Sequence, residues 1–244
     1  MTDENKDIKY YKELYKRLLE DHNFEKLELE LQKPNIFNIL GISRFEIRHS
    51  NFLAWLLDPN GSHGLGNRFL IRVLRDLAMK ENDLNIFDIN ILNFTDAEIK
   101  REVPITLQDK DKNGFIDIFV GFGNKDKTVI CIENKFDTEN AKGQLEKYQE
   151  YIQTTFKEKG YKTVLVYLTP NGSDPKNTVG INWTNYSYTE IIKHLENIQY
   201  SITDIQIKAY ISDYLSILKM EIMGAQSETQ KLADEICSNH PELF

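Results

Sequence analysis

The sequence predicts an α/β domain in which helices flank a mixed central β-sheet. The apolar period changes from helical to strand-like near residue 88, and the predicted elements run in the order helices, β-meander, helix, strand, helices. The run Val164-Leu165-Val166-Tyr167-Leu168 is apolar throughout, which is typical of a strand covered on both faces. A chain of 244 residues is long enough to form one such domain over residues 1–244.

Helices are predicted where apolar residues recur at helical spacing. On the first helix, Tyr11, Leu14, Tyr15 and Leu18 form one apolar stripe that would pack against the main body or a partner. The polar tail after Gly224 is too weakly patterned to predict an element. The predicted helices cover residues 3–22, 36–40, 67–80, 140–159, 189–199 and 203–223, together with one that starts at Ser43 and stops at Asp58.

Strands are predicted in the middle of the chain, where β-type runs alternate with turn residues. Pro104 interrupts the second run, and Gly123-Asn124-Lys125-Asp126 predicts a hairpin loop between the third and fourth. The stretch from Pro170 to Tyr188 is predicted to be a loop. The predicted strands are residues 89–94, 99–106, 115–122, 128–135 and 163–169.

Composition and charge exclude several classes of protein. The hydrophobic fraction of 41% is too high for a disordered chain, and two cysteines are too few for a disulfide-stapled secreted fold. No apolar run reaches the roughly 18–20 residues of a membrane span, and the charged N-terminus lacks the apolar core of a signal peptide. We therefore expect a cytoplasmic protein without membrane contact. The net charge of −8 argues against nonspecific coating of nucleic acid but is compatible with a local basic groove.

The residues that carry chemistry lie in the β-rich middle. Asp117 interrupts an apolar strand, and Glu133-Asn134-Lys135 ends the next one. Because side chains alternate along a strand, Glu133 and Lys135 share a face while Asn134 points away. Antiparallel pairing would bring Asp117 into reach of Glu133, and such carboxylates suit Mg²⁺, which takes oxygen ligands. The alternatives are a solvent-facing Asp117 and an exposed Glu133–Lys135 ion pair.

The ordered set of Asp117, Glu133-Asn134-Lys135, Gln144 and Tyr148 resembles the PD-(D/E)XK nuclease superfamily. The predicted order of helix, three strands, helix and strand is similar to the αβββαβ restriction-endonuclease-like core of that superfamily. The segment from Glu46 to Pro59 resembles the N-terminal signature of a bacterial branch with defence-associated members. The resemblance spans about residues 35–170, so the N-terminal helix and the C-terminal helices over residues 189–223 are additions. Ile116 stands where the motif is named for a proline.

The resemblance implies a metal-dependent nuclease, with DNA as its substrate. Asp117, Glu133 and the backbone carbonyl of Asn134 would bind Mg²⁺ or Mn²⁺, Lys135 would position or activate the attacking water, and Gln144 would hydrogen-bond to water or phosphate. The resemblance also suggests a role in restriction or phage defence. Two alternatives stay open, an RNase and a noncatalytic nucleic-acid- or protein-binding regulatory module that forms a homodimer or binds a partner protein through its terminal helices.

Several further residues have two interpretations each. Glu46 could complete the metal shell, as the resemblance implies, or close a capping box with Ser43. His49 could contact nucleic acid or serve as a structural hydrogen-bonding group, and Tyr148 could contact nucleic acid at the site or belong to the core. The basic residues that could line a phosphate-binding groove, with solvent exposure as the alternative, are Arg101, Lys142 and Lys147.

Overall fold

The fold is built around one five-stranded sheet. The structure is a computed structural model that describes residues 3–80, 83–105, 114–123, 126–224 and 228–244. Strand order follows chain order, and the strands are β1 (Ala97–Ile105), β2 (Gly114–Phe122), β3 (Thr128–Asn134), β4 (Lys162–Thr169) and β5 (Thr184–Ser187). Strands β1 to β3 pair antiparallel, whereas β3, β4 and β5 pair parallel. The prediction of a mixed sheet is therefore confirmed.

Helices cover both faces of the sheet. The helix between β3 and β4 is the crossover that a parallel pair requires, and its apolar side packs on one face. A larger core fills the other face, between the sheet and six of the remaining helices. The described helices are α1 (Asp3–Leu19), α2 (His22–Gln32), α3 (Ile36–Ile39), α4 (Glu46–Leu57), α5 (Arg68–Ala78), α6 (Ile86–Ile89), α7 (Gln144–Thr155), α8 (Tyr188–Gln199), α9 (Ile205–Met223) and α10 (Glu228–Asn239).

The predicted strand over residues 89–94 is wrong, because this segment forms short helical turns. Asn85 caps α6 by accepting a hydrogen bond from the Phe87 N–H. Asn93 caps the 3-10 turn Phe94–Asp96 in the same way. Asparagine side chains compete for backbone donors at such positions and so favour turns over extended chain.

The helix predicted over residues 3–22 is α1, which ends at Leu19 and is followed by α2 from His22, and the predicted stripe on α1 is largely exposed. Only Leu14 of that stripe is buried, whereas Tyr11 and Tyr15 are more than half exposed. Helix α2 packs against α10, which lies in the tail where no element was predicted. The Nε2 atom of His240 lies 2.8 Å from the Asp21 carboxylate and links the two ends of the chain.

The other predicted boundaries differ by a few residues. Strand β5 lies in the predicted loop, and α7 spans Gln144–Thr155 where residues 140–159 were predicted. Gly143 stops that helix from starting earlier, because its φ of 77° is in the left-handed region. Thr106 at the end of one predicted strand, and Asn124 and Lys125 of the predicted hairpin loop, lie outside the described residues.

Candidate active site

The carboxylates of Asp117 and Glu133 approach each other across the β2–β3 pair. Ile118 pairs with Ile132, so extending the register by one residue sets Asp117 opposite Glu133. Directly opposite side chains in an antiparallel pair lie on the same face, with their Cβ atoms about 4.5–5.5 Å apart. Asp117 Oδ2 also accepts a hydrogen bond of 2.8 Å from the backbone N–H of Asn134. The site therefore lies at the end of β3, where the two strands part.

Asp117 lies at an irregularity of the sheet. Ile116 packs on the α7 face and Ile118 on the opposite face, although a regular strand would put both on one side. The β1–β2 pairing skips one residue on each strand here, and Glu102 on β1 has a φ of 48°. The Asp117 carbonyl accepts a 2.8 Å hydrogen bond from Arg101 Nε. Such irregularities re-aim side chains next to active sites.

Glu133 is almost fully buried and only partly satisfied. Its side chain is 2% exposed, and its Oε1 accepts hydrogen bonds from Lys135 Nζ at 2.8 Å and from Gln144 Nε2 at 2.7 Å. Its Oε2 is buried without a hydrogen-bond partner among the described residues. Burial, followed by the nearby charge of Asp117, raises the pKa of Glu133 to about 8. A buried carboxylate oxygen without a hydrogen bond lowers the stability of the folded protein unless a cation or a hydrogen-bond donor binds it.

Lys135 carries the positive charge of the site. Its side chain is 12% exposed and projects to the same side as Glu133. Burial alone would lower the pKa of Lys135, but the carboxylates of Glu133, Glu46 and Asp117 raise it, so the ammonium group stays charged. Burial raises the pKa of Asp117 as well, although its hydrogen bond from Asn134 and the charge of Lys135 oppose the shift. A cation beside the carboxylates would stabilise their ionised forms.

Glu46 belongs to the wall of this site, and the predicted capping box at Ser43 is wrong. Helix α4 has Phe45 as its N-cap residue and no side-chain cap, so Glu46 is the first helical residue. Its Oε1 accepts hydrogen bonds from the Phe136 and Thr138 N–H groups at 3.0 and 3.1 Å and from Thr138 Oγ1 at 2.6 Å. The carboxylate thereby fixes the chain that follows β3, close enough to raise the pKa of Asp117.

Asn134 connects the site to the helices behind the sheet. Its side chain is fully buried, donates 2.9 Å to Ser50 Oγ and accepts 2.8 Å from the Tyr188 hydroxyl. Ser50 shares a helix face with Glu46, as its spacing predicts, whereas Tyr188 was not predicted to be a positioning residue. The position of Asn134 on β3 could have indicated such residues. Its side chain points away from Glu133 and Lys135 on a buried strand, and a buried amide needs polar partners on that face.

Gln144 and Tyr148 lie one turn apart on α7, and only Gln144 reaches the carboxylates. The Gln144 amide donates to Glu133 and, at 3.1 Å, to the Tyr148 hydroxyl. Tyr148 is 4% exposed and packs in the core with Leu145 and Ile152 on the buried side of the helix. The prediction that Tyr148 binds nucleic acid is therefore wrong, and its hydroxyl positions Gln144.

His49 is buried in the core, and the prediction that it contacts nucleic acid is wrong. The imidazole stacks on Phe136 with ring centroids 3.9 Å apart, and its nitrogens meet the Ser43 carbonyl at 2.8 Å and the Tyr214 hydroxyl at 3.2 Å. Burial lowers the pKa of His49, which favours the neutral ring. The structural interpretation of His49 is the one that the geometry supports.

The three basic residues that were predicted to line a phosphate-binding groove differ in how strongly their side chains are held by contacts within the protein. Arg101 donates to the Asp117 carbonyl, to the Ile47 carbonyl at 3.2 Å and to the side chain of Asn51, and thereby ties β1 to α4. Lys147 Nζ lies 5.8 Å from the centre of the Tyr148 ring, and Lys142 is exposed just before α7. All three lie on elements that border the site.

The donor set fits a divalent cation. Within the described residues, no group of three or more His, Cys, Asp or Glu side chains is arranged to hold a metal. Magnesium, however, is commonly bound through one or two carboxylates, with water and phosphate oxygens as the other ligands. A buried carboxylate pair without its cation is expected to have raised pKa values and an oxygen that lacks a partner. The pKa values of Asp117 and Glu133 are both raised, and Glu133 Oε2 has no hydrogen-bond partner among the described residues.

No described helix has the length and apolar character needed to cross a bilayer.

The mixed sheet with its flanking helices is a restriction-endonuclease-like α/β fold, and the carboxylates and lysine at the end of β3 define its candidate active site. The chain belongs to the PD-(D/E)XK nuclease superfamily, whose family model matches residues 34–224. Proteins of this superfamily are typically nucleases and generally use divalent metal ions. Neither a curated protein nor a solved structure matches the chain. Helices α1, α2 and α10 lie outside the matched segment.

Proposed function

We propose that this protein is a nuclease that hydrolyses phosphodiester bonds in DNA with the help of Mg²⁺ or Mn²⁺. The observation that carries the proposal is the buried Glu133 carboxylate, whose Oε2 has no hydrogen-bond partner among the described residues, close to the charge of Asp117 and bonded to the Lys135 ammonium group. Two such carboxylates at the end of a buried strand are costly without a cation. The superfamily match supplies the reaction class, and restriction or phage defence is the proposed setting.

Each site residue has a proposed role that follows from its contacts. Asp117, Glu133 and the carbonyl of Asn134 would hold the metal, which when bound would lower the pKa of a water molecule and offset charge on the phosphate. Lys135 Nζ can leave its bond to Glu133 and donate to the attacking water or to a phosphate oxygen. Gln144 keeps Glu133 oriented through its amide. Glu46 fixes the chain after β3 and is the remaining candidate ligand.

The test is cleavage of plasmid, linear duplex, single-stranded DNA and RNA with Mg²⁺ or Mn²⁺. Asp117→Asn, Glu133→Gln and Lys135→Ala should each lower the rate by about 10²–10³-fold, the usual cost of removing an electrostatic stabiliser. Lys159→Ala, which removes an exposed lysine from the turn after α7, serves as the matched control and should cleave normally. Cleavage that survives EDTA, or that the three site variants retain, would overturn the mechanism. Cleavage of RNA alone would change the substrate class.

A noncatalytic binding module is the second candidate, and an exposed surface favours it. Helix α1 exposes Ile8, Tyr11, Tyr15 and Leu19, all more than half accessible, outside the segment that the family model matches. A partner protein or a second copy could cover that surface. Calorimetric titration with Mn²⁺ separates the candidates, because heat of binding that disappears in Asp117→Asn favours the nuclease and its absence favours the binding module.

A further inference from the structure

A cleft lies along α4 on the side away from the carboxylates. It has a volume of about 560 Å³, within the range of about 300–1,000 Å³ typical of small-ligand sites. Helix α4 forms one wall and the start of α9 forms the other. The lining side chains that matter for recognition are Phe52, Trp55 and Tyr210, which are aromatic, and Arg48, Asn51 and Gln206, which are polar.

The aromatic side chains of the cleft are held in place. The Trp55 indole N–H donates 3.0 Å to Ser62 Oγ, and the ring lies 5.0 Å from that of Phe52. On the α9 wall, the Tyr210 hydroxyl accepts a 2.6 Å hydrogen bond from the Gln206 amide one turn earlier on the same helix. Fixed aromatic rings with amide groups beside them are suited to a planar heterocycle, which stacks by its faces and forms hydrogen bonds at its edge.

The cleft is charged and connected to the candidate active site. Arg48 is exposed at the cleft, and its side chain forms no hydrogen bond or ion pair with another described residue. Asn51 accepts a hydrogen bond from Arg101, whose Nε donates to the backbone carbonyl of Asp117. The Arg101 side chain therefore links Asn51, which lines the cleft, to the backbone of Asp117, a candidate metal ligand.

We propose that this cleft binds one unpaired nucleobase of the substrate, with Trp55 and Tyr210 stacking on it and Arg48 pairing with an adjacent phosphate. The inference rests on the proposed nuclease function, because it names the part of the substrate that the protein reads. A base inside a duplex cannot enter a cleft of this kind, so the bound nucleotide is single-stranded, terminal or flipped out.

Tryptophan fluorescence tests the inference without any cleavage. The chain has two tryptophans, so Trp183→Phe leaves Trp55 as the sole reporter. Trp183 donates its indole N–H to the Leu145 carbonyl on the α7 side of the sheet, away from the cleft. Titration of this variant with the four deoxynucleoside 5′-monophosphates, without metal, should give saturable quenching for at least one of them, and ribose 5-phosphate should give none.

Variants identify where the nucleotide binds. In the Trp183→Phe background, Arg48→Ala should weaken binding by about tenfold or more, as expected for the loss of a charged hydrogen bond. Arg75→Ala removes the same charge from α5, outside the cleft, and should leave binding unchanged. Tyr210→Ala should weaken binding and raise KM for single-stranded substrate while kcat stays near its original value, which a purely structural role would not produce.

Three results would overturn the inference. The first is quenching by ribose 5-phosphate equal to that by the nucleotides, which would indicate a phosphate site. The second is the absence of saturable quenching in a folded Trp183→Phe variant that still cleaves DNA, and this result leaves the proposed nuclease function intact. The third is a dimer in sedimentation experiments that Tyr210→Ala dissociates, because a second copy would then cover the cleft.

Discussion

Two stretches of the chain carry the same Ser-x-x-Glu pattern near the start of a buried helix, and they fold differently. At Ser187 the pattern is a capping box, since Ser187 Oγ accepts from the Glu190 N–H at 3.2 Å and Glu190 Oε2 accepts from the Ser187 N–H at 2.8 Å. At Ser43 no box forms, because α4 starts at Glu46 and the glutamate bonds to the chain after β3.

The difference shows that distant donors can overrule a local motif. The backbone N–H groups of Phe136 and Thr138, together with the Thr138 hydroxyl, offer Glu46 three hydrogen bonds, whereas the capping box at Ser187 offers Glu190 two. Glu190 bonds to the residue that caps its own helix, and the local pattern persists there. The same four-residue pattern thus stabilises a helix in one place and shapes the candidate active site in the other.

The largest expected effect separates the two glutamates by activity. Glu46→Ala should lower the cleavage rate by about 10²-fold or more, because the chain beside Lys135 loses its acceptor and the site loses a carboxylate. Glu190→Ala should leave cleavage unchanged and lower only the melting temperature. Rates and thermal melts of both variants provide the measurement, with Glu46→Gln as a milder variant. Equal activity in all three would mean that Glu46 has no role in the site.

A second test concerns the connection between the two regions, which runs through Asn134 and the first residue of α8, Tyr188. Asn134→Ala should lower the free energy of unfolding by about 2–4 kcal/mol, because the Tyr188 hydroxyl and Ser50 Oγ would be left buried without this partner. Asn197→Ala, at an exposed position of α8, is the control and should stay within about 0.5 kcal/mol. Urea unfolding measures both, and equal values would contradict the network.

The fold was predictable wherever one pattern dominated locally. Strands β2, β3 and β4 were predicted to within one residue at each end, because their apolar runs are bounded by turn residues. The short strand β5 was not, since its four residues have no period of their own and gain their order from parallel pairing with β4. Helices α2 and α10 are polar helices that pack on each other, which is information that neither segment carries alone.

Some features of the candidate site were likewise predictable from the sequence, whereas others depend on tertiary structure. Alternation along β3 was enough to predict that Glu133 and Lys135 share a face and that Asn134 does not. The irregularity at Asp117 was not predictable, because it depends on the positive φ of Glu102 on the neighbouring strand. The burial of His49 and Tyr148 also depends on tertiary packing, since each is polar enough to be read as a surface contact.

The candidate site should have a pH signature in the stability of the protein. Glu133 has its pKa raised from 4.5 to about 8 by burial, so between these values the folded protein binds a proton that the unfolded chain releases. The free energy of unfolding of the metal-free protein should therefore fall as pH rises through this range, by at most about 1.4 kcal/mol per pH unit. Glu133→Gln should flatten the slope in urea unfolding, whereas Glu158→Gln, at an exposed position, should not. A slope that Glu133→Gln leaves unchanged would assign the titration elsewhere.

The smallest effect separates the two serines. Ser187→Ala removes the oxygen that accepts from Glu190 and should lower the free energy of unfolding by about 1 kcal/mol, the usual cost of losing an N-cap. Ser43→Ala should change it by less than about 0.5 kcal/mol, because α4 has no side-chain cap and, within the described part of the chain, Ser43 is bonded through its backbone carbonyl, to His49. Parallel urea unfolding of the two variants measures the difference. A loss of about 1 kcal/mol from Ser43→Ala would mean that the capping box forms in solution and that Glu46 is shared between the cap and the site.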